Sequence, residues 1–520
     1  MVSLAGAGAV AAITGLPAVR REPLHVDEAV TLEFAPESLP TIVEDVFVER
    51  GGAPLFFFVE HVTLWWPGGL TGLRLPVFLF FLAALGLSYF VARDLCDRRT
   101  ALLVPPLLAA APLAVRLATF ARMYTLFLAA VLLAVWLLLR AESGGGRRRW
   151  IAAGALGGAL VYVHPIAPLY VAVAYATAFL RSAESAGEFL HRARPALAAS
   201  ALVALPYAYA LAVLGNRYDV GSAQSRVFQT AAGQAVPIEG LLALTSRAWL
   251  GAAVLAVLAL VGLAATVRRA PRIGLALALW ALVPVGFFSV IPSETSFFPR
   301  YLLPALPFVL ILVARGCLEV GRLGRRPLPI AAAVVAAVVV WETSGSLARL
   351  ERLGDLRLAR LTRTIDEGGN AVVFSSTGSA VAGRPAELVD AYVALELPDA
   401  GRLEELPGSG PGHEADVQAL GAGAVRDFIA AGGAPARGVW IFTGSPGRLD
   451  RAQPRLQAEA DVEALRISPR ILVVRSRRAL EARSLVEQAV RVRSAWIGGN
   501  DRDRWSRTLI AIDRSGLGSR

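Results

Sequence analysis

A succession of apolar runs, alternate ones closed by arginine-bearing loops, constrains this chain more than any single motif. Runs at 2–19, 73–92, 100–118, 120–139, 150–163, 166–180, 196–214, 247–266, 273–291, 301–316 and 327–343 read as membrane spans. About 20 apolar residues rise far enough to cross a hydrocarbon core of roughly 30 Å. The expectation is therefore a mainly α, polytopic membrane protein with eleven transmembrane helices. Composition agrees: 55% of residues are hydrophobic and 18% are charged, against roughly a quarter charged in soluble domains.

The net charge is +11 and the basic residues are all arginine. Their placement decides what that charge means. Loops at 93–99, 140–149, 181–194, 267–272 and 315–326 carry clusters such as Arg98-Arg99, Arg147-Arg148-Arg149 and Arg268-Arg269, and the intervening loops carry far fewer. Arginine-rich loops stay in the cytoplasm, so the N-terminus is expected inside and the residues after the last span outside. Nucleic acid is not an expected partner, because the arginines sit between apolar runs without interleaved aromatics. Cys96 and Cys317 lie in those same loops, where a reducing compartment keeps thiols free. Run 2–19 reads as a retained first helix or as a cleaved signal peptide, and the missing basic n-region favours the helix.

Two spans are short. Residues 150–163 and 166–180 meet at His164-Pro165, and each rises only about 22 Å. Their joining turn is expected below the outer surface, where irregular backbone is tolerated only under a cover of protein or water. Between the first two spans, Pro36-Glu37-Ser38 reads as the cap of a short helix through Val48. Gly51-Gly52-Ala53-Pro54 then breaks the chain before an apolar piece, Leu55–Trp66, suited to the headgroup level. After 343 the pattern changes. Residues 344–369 read as a linker helix, and 370–520 as a small extracytoplasmic α/β domain. Its strands are expected at Ala371–Phe374, Gly438–Phe442 and Ile471–Val474, and its helices near 386–395, 415–430 and 479–496.

On this topology the outward turns gather residues able to do chemistry. Asp27 and Glu28 follow the first span; being adjacent, their side chains point different ways. One can face a reacting group while the other orients it or binds a cation; alternatively the pair caps a helix in a solvated loop. Arg116, Arg122 and Tyr124 flank the turn at 118–120, His164 the next outward turn, and Arg300-Tyr301 the entry to the tenth span. Singly, arginine and tyrosine at these heights serve as interfacial anchors. Together, a carboxylate base and an arginine clamp are what group transfer from a phosphate donor requires. Glu60, His61 and Arg74 are further candidates for substrate binding, with a polar stripe or a snorkelling anchor as the alternative for each.

The chain resembles the GT-C superfamily of polyprenyl-phosphate-dependent glycosyltransferases, in particular the protein O-mannosyltransferase and aminoarabinose-transferase branch. The likeness runs through Asp27-Glu28-Ala29, Gly52-Ala53-Pro54-Leu55-Phe56-Phe57 and Leu73-Arg74-Leu75-Pro76. It continues through Ala121-Arg122-Met123-Tyr124 and Tyr162-Val163-His164-Pro165 to Arg300-Tyr301-Leu302-Leu303-Pro304. It covers 1–343 and departs from the family where Gly-Ala-Pro stands in place of His-Pro-Pro. The resemblance implies an inverting sugar transfer, hexosyl or pentosyl, from a lipid-phosphate donor to a hydroxyl of a glycan, lipid or protein at the outer face. It makes Asp27 the base and Glu28 its support. No cofactor is required by this chemistry; a divalent cation held by Glu28 and His164 is the one candidate. The competing readings are a secondary transporter or lipid flippase, and a membrane scaffold whose α/β domain binds a partner.

Overall fold

The computed structural model describes residues 2–21, 28, 31, 34–49, 52–63, 69–144, 146–182, 184–213, 245–246, 248–290, 299–323 and 327–353 of the first two thirds. Farther on it describes 371–375, 403–405, 437–443, 446–459, 461–468, 471–481, 484, 488, 491–492 and 495. Contacts divide the chain into two units, Met1–Arg20 with Phe34–Leu350, and Arg21–Glu33 with Glu351–Arg520.

The first unit is helical: α1 Val2–Arg21, α2 Leu55–Thr63, α3 Gly69–Leu95, α4 Arg98–Ala110, α5 Pro112–Leu117, α6 Tyr124–Glu142 and α7 Arg147–Ala159. There follow α8 Ala167–Ser182, α9 Ala186–Val213, α10 Trp249–Arg269, α11 Pro271–Val290, α12 Leu306–Arg322 and α13 Pro327–Leu353. Six stretches among the described residues are long and apolar enough to cross a membrane: 71–95, 124–142, 249–269, 271–288, 300–322 and 327–348. The protein is a multi-pass membrane protein. The run expected at 100–118 is broken at Ala111, where Pro112 opens a separate short helix; proline cannot donate the helical hydrogen bond that would join them. Ser38 caps the short helix Leu39–Ile42 as expected, its hydroxyl accepting the Thr41 N–H at 3.4 Å. The turns beyond it, Val43–Glu49, are wider π-helix.

Close crossings hold the bundle together. A Cβ on Gly262 of α10 would stand 1.9 Å from the Leu312 carbonyl oxygen of α12, and one on Gly316 of α12 would stand 2.0 Å from that of Leu258. The backbones touch where both helices lack side chains, the small-residue packing that membrane helices use in the absence of a hydrophobic drive. Likewise α7 meets α9 through Gly154 against Ala196 and Gly158 against Ser200.

Ion pairs chain the five arginine-rich loops at one end of this unit. Arg140 reaches Asp94 at 2.8 Å, Arg181 pairs with Glu142, Arg315 meets Asp97 at 2.6 Å, and Arg269 meets Glu319 at 2.5 Å. Every arginine-rich loop read from the sequence is a link in that chain, so the alternation of loop charge corresponds to one physical face.

In the second unit, β1 Ala371–Ser375, β2 Leu403–Glu405, β3 Arg437–Thr443, β4 Val462–Ser468 and β5 Ile471–Ser476 form one sheet in the order β2-β1-β3-β5-β4. β1 is parallel to β2 and β3, and β5 is antiparallel to β3 and β4. Helix α14, Pro446–Gln457, buries Leu449, Ala452 and Leu456 with Trp440, Val462, Leu472 and Val474. The three expected strands are present, while β2, β4 and α14 were not expected. The expected helices at 386–395 and 415–430 lie outside the described residues; Gln488, Arg491, Val492 and Ala495, within 479–496, are helical.

Candidate active site

His164 sits at the centre of the residues that these turns bring together. The two short helices meet near His164-Pro165: α7 tightens through a 3-10 turn at Leu160–Tyr162 before α8 begins at Ala167. His164, between them, is only 5% exposed. Three rings from two elements box it: Phe127 of α6 stacks on it at 5.2 Å, Tyr301 meets it edge-on at 5.5 Å, and Tyr124 of α6 lies at 6.0 Å. Phe127 stands one turn after Tyr124 on α6, so both rings present the same face.

The Ile166 N–H donates to His164 Nδ1 at 3.3 Å. An accepting Nδ1 carries no proton, so the proton of the neutral ring is on Nε2. That Nε2 is buried and has no hydrogen-bond partner among the described residues. Burial, and then the charges of Arg122 and Arg300, push the His164 pKa down from its ordinary value to about 3. The imidazole is thus a neutral N–H donor at neutral pH.

Both guanidiniums are held by aromatic rings around this site. Arg300 lies over the Tyr124 ring with Cζ 5.2 Å from its centroid, and Arg122 lies over Phe57 of α2 at 5.8 Å. Arg300 is carried by a 3-10 segment, Pro299–Ala305, that leads into α12. The fully buried Tyr170 of α8 fixes this segment, its hydroxyl donating to the Tyr301 carbonyl at 2.5 Å. Tyr170 in turn stacks on Trp280, whose indole N–H donates to Thr177 at 2.9 Å. Two cations and one N–H donor, walled by aromatic rings, suit an oxyanion of phosphate type.

Arg122, Tyr124, His164, Arg300 and Tyr301 therefore converge, although 40 to 179 positions of sequence separate the turns at 122–124, 164 and 300–301. Glu60 is completely buried, on the α2 face that also buries Phe56, Phe57 and Thr63; it faces protein rather than headgroups, and Thr63 donates to it at 3.3 Å. His61, half-buried, hydrogen-bonds the Ala35 carbonyl through Nδ1 at 2.9 Å. Arg74 is buried at 1% exposure and donates to the Val19 carbonyl at 3.2 Å, joining α3 to α1. Arg116 is exposed. Asp27 lies outside the described residues, and Glu28, fully buried, belongs with the second unit. No group of three or more His, Cys, Asp or Glu able to hold a metal occurs among the described residues, and the two guanidiniums around this site oppose a cation there. Sequence reasoning missed Phe127, Tyr170 and Trp280, which read as ordinary apolar helix residues; the spacing of Phe127 from Tyr124 was the available signal.

Residues 55–211 match the family described as dolichyl-phosphate-mannose-protein mannosyltransferase. The structure of ArnT from Cupriavidus metallidurans bound to undecaprenyl phosphate superposes with a TM-score of 0.58 at 16% identity, over 90% of this chain and 97% of that one. The fold is that of the ArnT structure. Apo ArnT from Cupriavidus metallidurans gives a TM-score of 0.55 at 15% identity, with the same coverages of 90% and 97%. No curated protein matches the chain by sequence. The GT-C likeness read from the order of short motifs therefore holds, and the family match begins at Leu55, within the motif Gly52–Phe57.

Proposed function

We propose that this chain is an inverting glycosyltransferase that moves a sugar from a polyprenyl-phosphate donor to an acceptor hydroxyl at the outer face of the cytoplasmic membrane. The observation that carries the proposal is the convergence of Arg122, Arg300 and the His164 N–H in one aromatic box. An ArnT structure of the same fold holds undecaprenyl phosphate, which supports a lipid-phosphate donor. In this reading the arginine-rich end is cytoplasmic, the box lies at the opposite end, and residues 370–520 form an extracytoplasmic domain after a linker at 344–369.

Asp27 takes the proton of the acceptor hydroxyl, with Glu28 supporting it. The acceptor oxygen attacks the sugar C1 from the face opposite the phosphate. The C1–O bond breaks, its electron pair leaves with the polyprenyl phosphate, and configuration at C1 inverts. Charge grows on the phosphate oxygens as that bond breaks. Arg122 and Arg300 supply planar donor pairs that match those oxygens, which a lysine ammonium cannot do. His164 adds one neutral hydrogen bond from Nε2.

The test is sugar transfer from a synthetic polyprenyl-phosphate donor by purified protein, with the anomeric configuration of the product read by NMR. Asp27→Asn is expected to lower turnover by about 10²–10⁴-fold, the span usual for a positioned base, without loss of folding. Wild-type turnover in that variant eliminates Asp27 as the base. Uptake of a solute into proteoliposomes without any transfer supports the transporter reading in its place.

A further inference from the structure

We infer that the edge where α7 and α9 begin is a binding site for an anionic phospholipid. The inference starts from charge accounting at the arginine-rich end. Each acidic residue in the described parts of those loops is already engaged. Asp94 holds Arg93 and Arg140, Asp97 holds Arg315, Glu142 holds Arg181, Glu184 holds Arg192, and Glu319 holds Arg269 and Arg322. Glu188 accepts the Ser185 N–H at 3.0 Å and its hydroxyl at 2.7 Å. No acid remains for Arg147, Arg148, Arg149 and Arg194, all exposed and without an ion pair among the described residues.

Helix packing sets these four at one level of the bundle. Gly154 rests on Ala196 and Gly158 on Ser200, so α7 and α9 run side by side in the same direction, in constant register. That register sets Arg194 level with Ala152, about 4.5 Å along the axis from Arg149. Trp150 fastens the same junction: its ring meets Phe189 of α9 at 6.0 Å, and Arg192 lies over it at 5.8 Å. The site is a rigid crossing rather than two loose loops.

A second observation gives the ligand its shape. Directly beyond the guanidiniums, the same two helices expose Ile151 at 41%, Leu197 at 38%, Leu202 at 73% and Leu205 at 61%. Charge at one end and a bare apolar strip running away from it match a phosphate headgroup with its acyl chain. A free anion would use the first feature only. The first turn of α7 also holds three cations and no acid, at the end of the helix where the backbone dipole favours an anion. A bound phosphodiester neutralises that repulsion.

The experiment uses the full chain in detergent, with phosphatidylglycerol, phosphatidylcholine or inorganic phosphate added. Native mass spectrometry counts retained lipids and thermal unfolding reads their effect. Phosphatidylglycerol is expected to remain bound and to raise the midpoint by several degrees, and phosphatidylcholine to do neither. In the combined variant Arg147→Gln, Arg148→Gln, Arg149→Gln, Arg194→Gln, one retained phosphatidylglycerol and most of the midpoint shift are expected to disappear. A control with Arg98→Gln, Arg99→Gln, Arg268→Gln, Arg272→Gln removes equal charge from the same end and is expected to keep both. Equal losses in the two variants, an unchanged response in the first, or an equal shift from inorganic phosphate would each overturn the site.

Discussion

The Tyr170 hydroxyl donates to the Tyr301 carbonyl across 131 positions of sequence, at 2.5 Å. This bond attaches the 3-10 segment bearing Arg300 to α8, whose start is set by the His164 turn. One buried hydrogen bond thereby couples the two halves of the box. Tyr170→Phe keeps the ring and its packing on Trp280 and Phe127 and removes only the donor. A buried hydrogen bond is worth about 1 kcal/mol, so kcat/KM for the donor is expected to fall roughly fivefold. Kinetics on the folded variant, with the donor KM rising more than kcat falls, checks this; unchanged kinetics would show that the turn is held without it.

The two guanidiniums are expected to respond differently from point charges. Arg300→Lys retains the charge and loses the planar pair of donors. Transfer is expected to fall by about 10²-fold or more, the range for loss of an oxyanion donor, with wild-type thermal stability. Parallel measurement of Arg122→Lys shows whether the clamp is shared; near-normal rates in both variants would remove the phosphate clamp.

His164 makes a pH prediction with a definite sign. Its pKa is lowered from 6.5 to about 3 in the folded protein, so the unfolded chain binds the proton that the native box refuses. Its contribution to stability is complete above pH 6.5 and is lost as pH falls toward 3. Unfolding midpoints are expected to decline across that window, and His164→Gln to make the decline shallower. The same shift predicts that His164 contributes no acid limb to the rate profile near pH 6, which the His164→Gln profile tests. An acid-range slope as steep in the variant as in the wild type would contradict the neutral imidazole.

Asp97 does two jobs at the opposite end. Its carboxylate accepts the Thr100 N–H at 2.8 Å, capping α4, and pairs with Arg315 at 2.6 Å. Asp97→Ala removes both and is expected to cost about 1–3 kcal/mol, the cap alone being worth about 1. Asp97→Ser restores the cap without the charge and is expected to recover about 1 kcal/mol of that loss. Denaturation of the three proteins in one detergent measures the split; identical losses would mean that the cap contributes nothing.

At Gly262 and Gly316 any side chain must push two backbones apart. Gly316→Leu is expected to cost about 3 kcal/mol or more, the upper range for overpacking. Thermal unfolding reads the loss. A change within half a kcal/mol would show that the α10–α12 crossing relaxes freely.

Parts of this fold were legible because hydrophobicity is local. Spans such as α3, α6 and α10 follow from uninterrupted apolar residues, and the alternation of loop charge identified a face that the Asp94, Asp97, Glu142 and Glu319 ion pairs then joined. Helix α9 shows the limit. Its first turns are polar, so hydropathy places its start near 196, yet the structure begins it at Ala186. The reciprocal Ser185–Glu188 bonds at that start form a capping box, a signal that an apolar scan does not weigh.

The sequence by itself determined that the chain crosses a membrane repeatedly, which loops share a side, and which turns carry arginine, tyrosine and histidine. Those properties depend on neighbours along the chain, and the bilayer reads them segment by segment. Only the tertiary structure decided that Arg122, His164 and Arg300 meet, that Phe127 and Tyr170 wall and brace them, and that Glu60 faces inward. Such juxtapositions depend on which helices cross and in what register. Close contacts such as Gly154 on Ala196 and Gly262 on Leu312 set that register, and no local pattern encodes which partner each glycine finds.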